Sequence, residues 1–259
     1  MMSAEHPTSP KLYTTKDGSH TLYSEQFGQY YHNPNGACSE SLHVFFEQNG
    51  LLEALQQNKS LNILEMGFGS GLNFFILLHF LNKKNVSLGL EYHSIEAFPL
   101  KAETALNIDF GDFFEDHSYQ HKLQKILTEL KAGKNLFSFG QAALYLHFED
   151  LQHAQLPENY FDFVFYDPFS PEASPDCWTA EAFRSIYLSM KKKGLLSTYC
   201  AASSARPAMA KSGFFVARAK GALGKREMTL ASPEAGRLGN HKRLNEKRLI
   251  QRWDAGEFE

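Results

Sequence analysis

Leu61-Asn-Ile-Leu-Glu-Met-Gly-Phe-Gly-Ser-Gly-Leu72 decides the fold class: a β-rich apolar run carries Glu65 near its end, and glycines follow at positions 67, 69 and 71. A buried strand that turns at glycines into the apolar segment Leu72 to Leu81 opens a β-turn-α unit. Glycines at such a turn let the backbone approach a ligand closely, and the helix that follows presents free N–H groups at the positive end of its dipole. A dinucleotide fingerprint needs its third glycine one residue later, where this chain has Leu72, so the spacing disfavours NAD.

Outward from that unit, apolar β-rich runs alternate with longer segments of helical period, the pattern of parallel strands joined by helical crossovers. Strands are expected at Leu61 to Met66, Leu88 to Glu96, Ala143 to Phe148, Phe161 to Tyr166, Leu195 to Cys200, Phe214 to Arg218 and Met228 to Ala231. Helices are expected at Leu72 to Leu81, Phe113 to Leu130 and Thr179 to Met190, the last with Thr179 as its N-cap. The prediction is an α/β fold: a mostly parallel seven-stranded sheet with helices on both faces. Residues 1–60 are expected to form an N-terminal lead and lid packed on the core, 61–232 the catalytic domain, and 233–259 a basic C-terminal tail. Within the lead, Tyr30-Tyr-His-Asn-Pro-Asn-Gly36 is turn-rich and aromatic, which suits a lid or edge.

At 259 residues and 43% hydrophobic, the chain can bury one large core. No run approaches a membrane span, and Met1 to Pro10 lacks a basic segment and an apolar signal core, so a cytoplasmic protein with no membrane partner is expected. Cys38, Cys177 and Cys200 are widely spaced and read as reduced thiols, with buried packing expected for Cys200. His117 and His121 stand four apart without the further ligands that a metal pair needs, so no metal is expected. The net charge of −3 conceals an asymmetry: Arg206 to Arg252 holds 12 basic and 3 acidic residues, which suits contact with nucleic-acid phosphates or, more plainly, a solvated terminal helix.

Three acids at later strand ends join Glu65 in an ordered series. Glu96 closes the second expected strand, where a carboxylate can accept both hydroxyls of a ribose. Asp150 follows the third and suits an adenine amino group. Asp167 ends the fourth, and ligands of open α/β sheets sit at such carboxyl ends. Each acid alone reads as a surface group or a helix cap; the series points to a cofactor pocket.

G-x-G-x-G after an acidic strand end resembles the first motif of the Rossmann-like class I methyltransferases. More narrowly, the chain from about Phe27 to Ala231 resembles the tRNA 5-methylaminomethyl-2-thiouridine methyltransferase family, the methyltransferase half of MnmC and the free-standing MnmD proteins. The blocks that carry the resemblance are Tyr30 to Gly36 with Glu40-Ser-Leu-His-Val-Phe45, Glu65 to Phe74, and Ser94-Ile-Glu-Ala-Phe-Pro-Leu100. To these add Asp167-Pro-Phe-Ser-Pro171 with Ser174-Pro-Asp-Cys-Trp-Thr179, the most specific block, and Lys220-Gly-Ala-Leu-Gly-Lys-Arg-Glu-Met228. Pro168 stands where many members have glycine or alanine, and Glu149 where a glycine often precedes the acid. The fused members carry a flavin-dependent oxidase domain, which the 28 residues after Ala231 are too few to encode, so a free-standing form without flavin is expected.

The resemblance implies S-adenosylmethionine as cofactor, held by Glu65, Gly67, Phe68, Gly69, Gly71, Asn73, Glu96, Asp150 and Asp167. It implies methyl transfer to the primary amine of 5-aminomethyl-2-thiouridine at the wobble position of tRNA, the expected partner. Asp167 is the candidate catalytic residue; next to a cationic sulfonium its pKa should be lowered, making it a better orienter than base. Tyr31, Phe169 and Trp178 suit the faces of an extruded uridine, and Lys225 and Arg226 suit phosphate. A small-molecule amine methyltransferase or polyamine synthase on the same fold is the first rival, although a polyamine pocket wants acids that Pro168 to Pro171 do not supply. The second rival is a non-catalytic tRNA-binding module, against which the retained acids argue.

Overall fold

The computed structural model describes residues 9–57, 59–84, 89–115 and 117–258. Met1 to Thr8, Leu88 and Asp116, each part of an expectation above, lie outside the described residues. Three short strands open the chain, β1 (Lys11–Thr14), β2 (His20–Ser24) and β3 (Gln29–Tyr30), and pair antiparallel as a small sheet of their own. Nine strands build the main sheet: β4 (Leu61–Met66), β5 (Leu90–Ile95), β6 (Gly133–Phe139), β7 (Ala142–Phe148), β8 (Phe161–Tyr166), β9 (Met190–Thr198), β10 (Phe215–Lys220), β11 (Glu227–Ser232) and β12 (Lys242–Arg243). Their order is β12-β10-β11-β9-β8-β4-β5-β7-β6.

The α/β class and the seven expected strands are present, and two further strands enlarge the sheet. β4, β5, β7, β8 and β9 are mutually parallel, while β6, β10, β11 and β12 add antiparallel pairs, so the sheet is mixed rather than mostly parallel. β6 folds back on β7 across the two-residue connection Gly140-Gln141, with Gly140 at φ 60°. The chain runs outward from β4 through β5 to β7, then returns to β8 and β9 on the other side of β4. That reversal opens a crevice at the carboxyl ends of β4 and β8, where ligands of such sheets bind.

Alternation along β4 divides the core. Leu61 and Ile63 join one apolar cluster with the Leu72–Lys84 helix, the Ser118–Glu129 helix and the Val44 to Leu55 region; Leu64 and Met66 join another with the helices Ala180–Ser189 and Ala205–Lys211. Helices therefore cover both faces. Thr179 caps its helix as expected, accepting from the Ala182 amide at 3.1 Å. The expected helix from Phe113 starts only at Ser118.

The lead and tail are not appendages. Phe45 and Phe46 pack on Phe165 of β8, and Leu22 of β2 is buried in the same cluster. At the other end β12 pairs with β10, and the Glu246–Asp254 helix lays Leu249, Ile250 and Trp253 against the second cluster. Cys38 and Cys200 are buried and all three cysteines are free. Among the described residues no helix is long and apolar enough to cross a membrane.

Candidate active site

The crevice holds a cavity of about 710 Å³ walled by the ends of β4, β5, β7, β8 and β9 and roofed by residues 27–35. The glycine turn forms its floor. Gly67, at φ 88°, lies against the next strand end so closely that a Cβ there meets the Asp167 carbonyl oxygen at 3.1 Å, and a Cβ on Gly69 meets the Tyr31 ring at 3.0 Å. Both positions need glycine because the φ is left-handed and because neighbours already fill the space.

Glu96 stands at the end of β5 with each carboxylate oxygen holding one backbone amide, Gly69 N–H at 2.9 Å and Phe98 N–H at 2.7 Å. Burial raises its pKa against these donors. The carboxylate faces the cavity with lone pairs to spare, which is the arrangement that accepts a diol. Gly67, Phe68, Gly69, Asn73, Asp150 and Asp167 line the same space. Asp150 sits at its exposed rim, 3.8 Å from His153.

Two expected cofactor ligands lie behind the wall. Glu65 is 1% exposed and receives Ser94 Oγ at 2.8 Å and Asn73 Nδ2 at 3.0 Å. It sets the Asn73 amide, which also donates to Asp167 Oδ2 at 3.1 Å, while the Ser41 hydroxyl donates to the Asn73 carbonyl. Gly71 packs against Phe68 and Phe75 instead of lining the cavity. Desolvation pushes Glu65 up to about 8.

The electrostatics of Asp167 in the protein alone are set by burial and by other carboxyls, whereas the lowering expected beside a sulfonium belongs to the cofactor-bound state. Burial, with Glu65 and Glu40 nearby, pushes its pKa well above the usual carboxylate range, while Asn73 and Lys225 pull the other way. A sulfonium cation alone would lower it; two neighbouring carboxylates and the loss of water reverse the sign in the protein by itself. Asp167 is thus a more basic group than its place in the sequence suggests.

The aromatic and basic expectations divide. Tyr31 and Phe169 meet edge to face at 5.1 Å on the cavity wall, and Phe27 stacks on Phe169 at 4.5 Å. Trp178 does not reach the cavity: it is 4% exposed, packs on Tyr166 and Phe183, and donates its indole N–H to the Phe169 carbonyl at 2.8 Å. Its role is to hold the Pro-rich loop. Lys225 lines the cavity instead of pointing to an outer phosphate, bonded to Glu40 at 2.7 Å and lying 5.0 Å above the Tyr199 ring. Arg226 is exposed outside it.

Glu40 and Tyr199 are site residues that the sequence reading does not single out. Glu40 also receives the Asn33 amide at 3.1 Å, tying the lead to the cavity, and the Tyr199 hydroxyl donates to the Pro168 carbonyl at 2.8 Å. The signals for them are slight: Glu40 opens the block Glu40 to Phe45, and Tyr199 directly follows β9, one strand beyond the acid series. His32 bonds Ser70 of the glycine turn at 2.9 Å and is held neutral by burial, its pKa near 4.

Of the basic stretch, Arg206, Lys211, Arg218, Lys225, Arg243 and Arg252 are ion-paired, so none of them is an unencumbered partner for phosphate. Glu227 bridges Arg206 and Arg218 at 3.0 and 2.9 Å. Arg226, Lys242, Lys247 and Arg248 take part in none of these six pairs.

Comparison with known proteins agrees with this geometry. A family described as S-adenosyl-L-methionine-dependent methyltransferase matches residues 114–234. The tRNA 5-methylaminomethyl-2-thiouridine biosynthesis bifunctional protein MnmC of Nitrosospira multiformis is 32% identical over 214 residues, covering 80% of this chain and 34% of that protein. MnmC of Delftia acidovorans is 31% identical over 238 residues, covering 85% and 34%. The chain spans about a third of the length of these curated relatives. Among solved structures, MNMC2 from Aquifex aeolicus superposes with a TM-score of 0.73 at 26% identity, covering 96% of this chain and 76% of that one.

Proposed function

We propose, for a chain that belongs to the S-adenosyl-L-methionine-dependent methyltransferase family of the MnmC methyltransferase domain, that it methylates the primary amine of 5-aminomethyl-2-thiouridine at the tRNA wobble position. The observation that carries the reading is the juxtaposition, in one cavity, of the Glu96 diol acceptor on the glycine-turn side with Asp167 beneath the aromatic wall of Tyr31 and Phe169.

S-adenosylmethionine supplies an electrophilic methyl group when bound. The chain's own work is placement and proton control. Glu96, pre-ordered by two backbone amides, would accept the ribose hydroxyls, while Gly67 and Gly69 let the turn close against Asp167 and Tyr31 and so shape that side of the cavity. Asp150 at the rim takes the adenine side. An acceptor amine attacks only through a free lone pair, so Asp167 receives an N–H of the amine and aims that lone pair along the cavity. Asn73 fixes the Asp167 carboxylate, and Glu65 behind it fixes Asn73. In its ionised form Asp167 takes the proton released from the amine nitrogen as the N–C bond forms and the C–S bond breaks. Tyr31 and Phe169 offer aromatic wall surface against which the uracil ring rests, since unpaired bases are held on aromatic faces. The reading makes tRNA the partner and the cytoplasm the compartment, and it requires neither flavin nor metal.

Replacing Glu96 by alanine is expected to weaken S-adenosylmethionine binding by about 1–3 kcal/mol, the scale for removing a charged hydrogen-bond acceptor. Titration calorimetry checks this, and unchanged affinity removes Glu96 from the pocket.

The direct test of function is incubation of tRNA from cells lacking this protein with S-adenosylmethionine, followed by nucleoside mass analysis. One added methyl on the aminomethyl nitrogen is expected; methylation elsewhere, or none, overturns the assignment. The same tRNA should bind more weakly as salt rises. Substituting Arg226, Lys242, Lys247 and Arg248 by alanine should flatten that dependence by about 0.7 to 0.9 log unit for each phosphate no longer neutralised. Identical slopes would place the tRNA on another surface.

A further inference from the structure

The N-terminal sheet carries a feature that methyl transfer itself does not use. In its register Tyr13 lies opposite Thr21, Lys11 opposite Tyr23, and Tyr23 opposite Tyr30, so Tyr13, Tyr23 and Tyr30 share one face. Leu22 on the other face is 1% exposed in the core. The three rings meet edge to face, Tyr13 to Tyr30 at 5.3 Å, Tyr23 to Tyr30 at 5.0 Å and Tyr13 to Tyr23 at 6.3 Å. Yet Tyr13 is 42% and Tyr30 37% exposed, which is unusual for clustered rings whose only task is packing.

The cluster is continuous with the active site. Tyr23 and Tyr30 line the cavity mouth, and Phe98, 53% exposed and 5.3 Å from Phe27, stands on the same rim. An acceptor base that enters this cavity leaves its chain neighbours outside, over these rings. On this face Lys11 is paired with Glu25 at 2.5 Å, so the pair adds no net charge beside the rings. Exposed rings beside a pocket for one unpaired base are the usual support for the next base, because every nucleobase has a π-face.

We propose that the Tyr13–Tyr23–Tyr30 face is a stacking platform for an unpaired nucleotide adjacent to the target uridine in the anticodon loop. The platform rests on the reading that the acceptor is a tRNA uridine. It explains how a site whose mouth is aromatic rather than cationic grips a single-stranded loop, and it assigns the N-terminal sheet to substrate recognition.

The test uses the full chain and an anticodon stem-loop RNA carrying 2-aminopurine next to the target uridine. Binding to the unaltered protein should quench the fluorophore, as stacking does. The pair Tyr13→Ala with Tyr30→Ala should raise Kd about fivefold or more and relieve the quenching. The slope of log Kd against log salt should stay the same, because every phosphate partner is kept. Tyr13→Leu with Tyr30→Leu keeps apolar bulk in the sheet and should behave like the alanine pair, whereas the phenylalanine pair should restore both readings. S-adenosylmethionine affinity, measured on every variant, reports an intact fold. If the leucine pair binds and quenches as the unaltered protein does while the unaltered protein methylates tRNA, the platform is wrong and the function stands. A parallel drop in salt slope would mean that the face meets phosphate, which also overturns stacking. If the unaltered protein methylates no tRNA, the acceptor reading and the platform fall together.

Discussion

Replacing Asp167 by alanine is expected to lower the methyl-transfer rate by about 10²- to 10⁴-fold, the range for removing a positioned proton acceptor. The carboxylate ends β8 at the switch point, lines the cavity, and is fixed by the Asn73 amide at 3.1 Å. Asparagine at 167 keeps an oxygen that can receive the Asn73 amide and an amine N–H but cannot take a proton. A smaller loss in Asp167→Asn than in Asp167→Ala therefore measures the orienting part of the role, and equal losses assign the whole effect to proton acceptance. Stability should move little or rise, because a carboxyl desolvated beside Glu65 and Glu40 is removed. Single-turnover rates with saturating S-adenosylmethionine and tRNA, read beside thermal unfolding, decide the matter. Wild-type rates in both variants would take the chemistry away from this loop.

What the sequence discloses about fold and site follows the strength of each local signal. β4 and its glycine turn are legible because a buried parallel strand reads as a mostly apolar run and because Gly67 and Gly69 occupy conformations that other residues rarely adopt. Glu96 and Asp167 follow from strand ends alone. β6 is hidden because Lys134, Asn135 and Ser138 break its apolar run, and its pairing depends on a two-residue turn that propensity marks weakly. The N-terminal sheet is hidden because its strands are two to five residues long and its order comes from packing on the core and on the cavity rim. Composition points Trp178 and Lys225 outward to a substrate, whereas partners distant in sequence turn them inward: Tyr166 and Phe183 around the indole, Glu40 and Tyr199 around the ammonium. Glu65 carries the same lesson. A strand-end acid is visible in sequence, but whether it faces the ligand or the layer behind depends on which side of the pleat it occupies, and Glu65 shares its side with the buried Leu61 and Ile63.

That buried position gives Glu65 the second large effect, on stability as a function of pH. Burial lifts its pKa from 4.5 to about 8, against the opposing hydrogen bonds of Ser94 and Asn73. Between those values the folded chain retains a proton that the unfolded chain has released, so stability should fall as pH rises through that interval and be flat beyond its ends. Asp167 and Glu96, both raised, act with the same sign. His32 and His93, lowered from 6.5 to about 4 by burial, act oppositely at acid pH, since there the unfolded chain binds the extra protons. Glu65 is therefore unopposed by these two histidines only between about pH 6.5 and 8. In that window Glu65 should contribute a decline of up to about 1.4 kcal/mol per pH unit, the limit for one proton. Glu65→Gln preserves the shape and the contact with Asn73 but carries no charge, so its stability should decline less steeply than that of the unaltered protein. The difference between the two curves, from urea unfolding at closely spaced pH, isolates the Glu65 contribution and the part of Asp167's shift that Glu65 induces. Coincident slopes for the two proteins would show that Ser94 and Asn73 hold Glu65 ionised in the fold, and the layer behind the active site would then be a charged one.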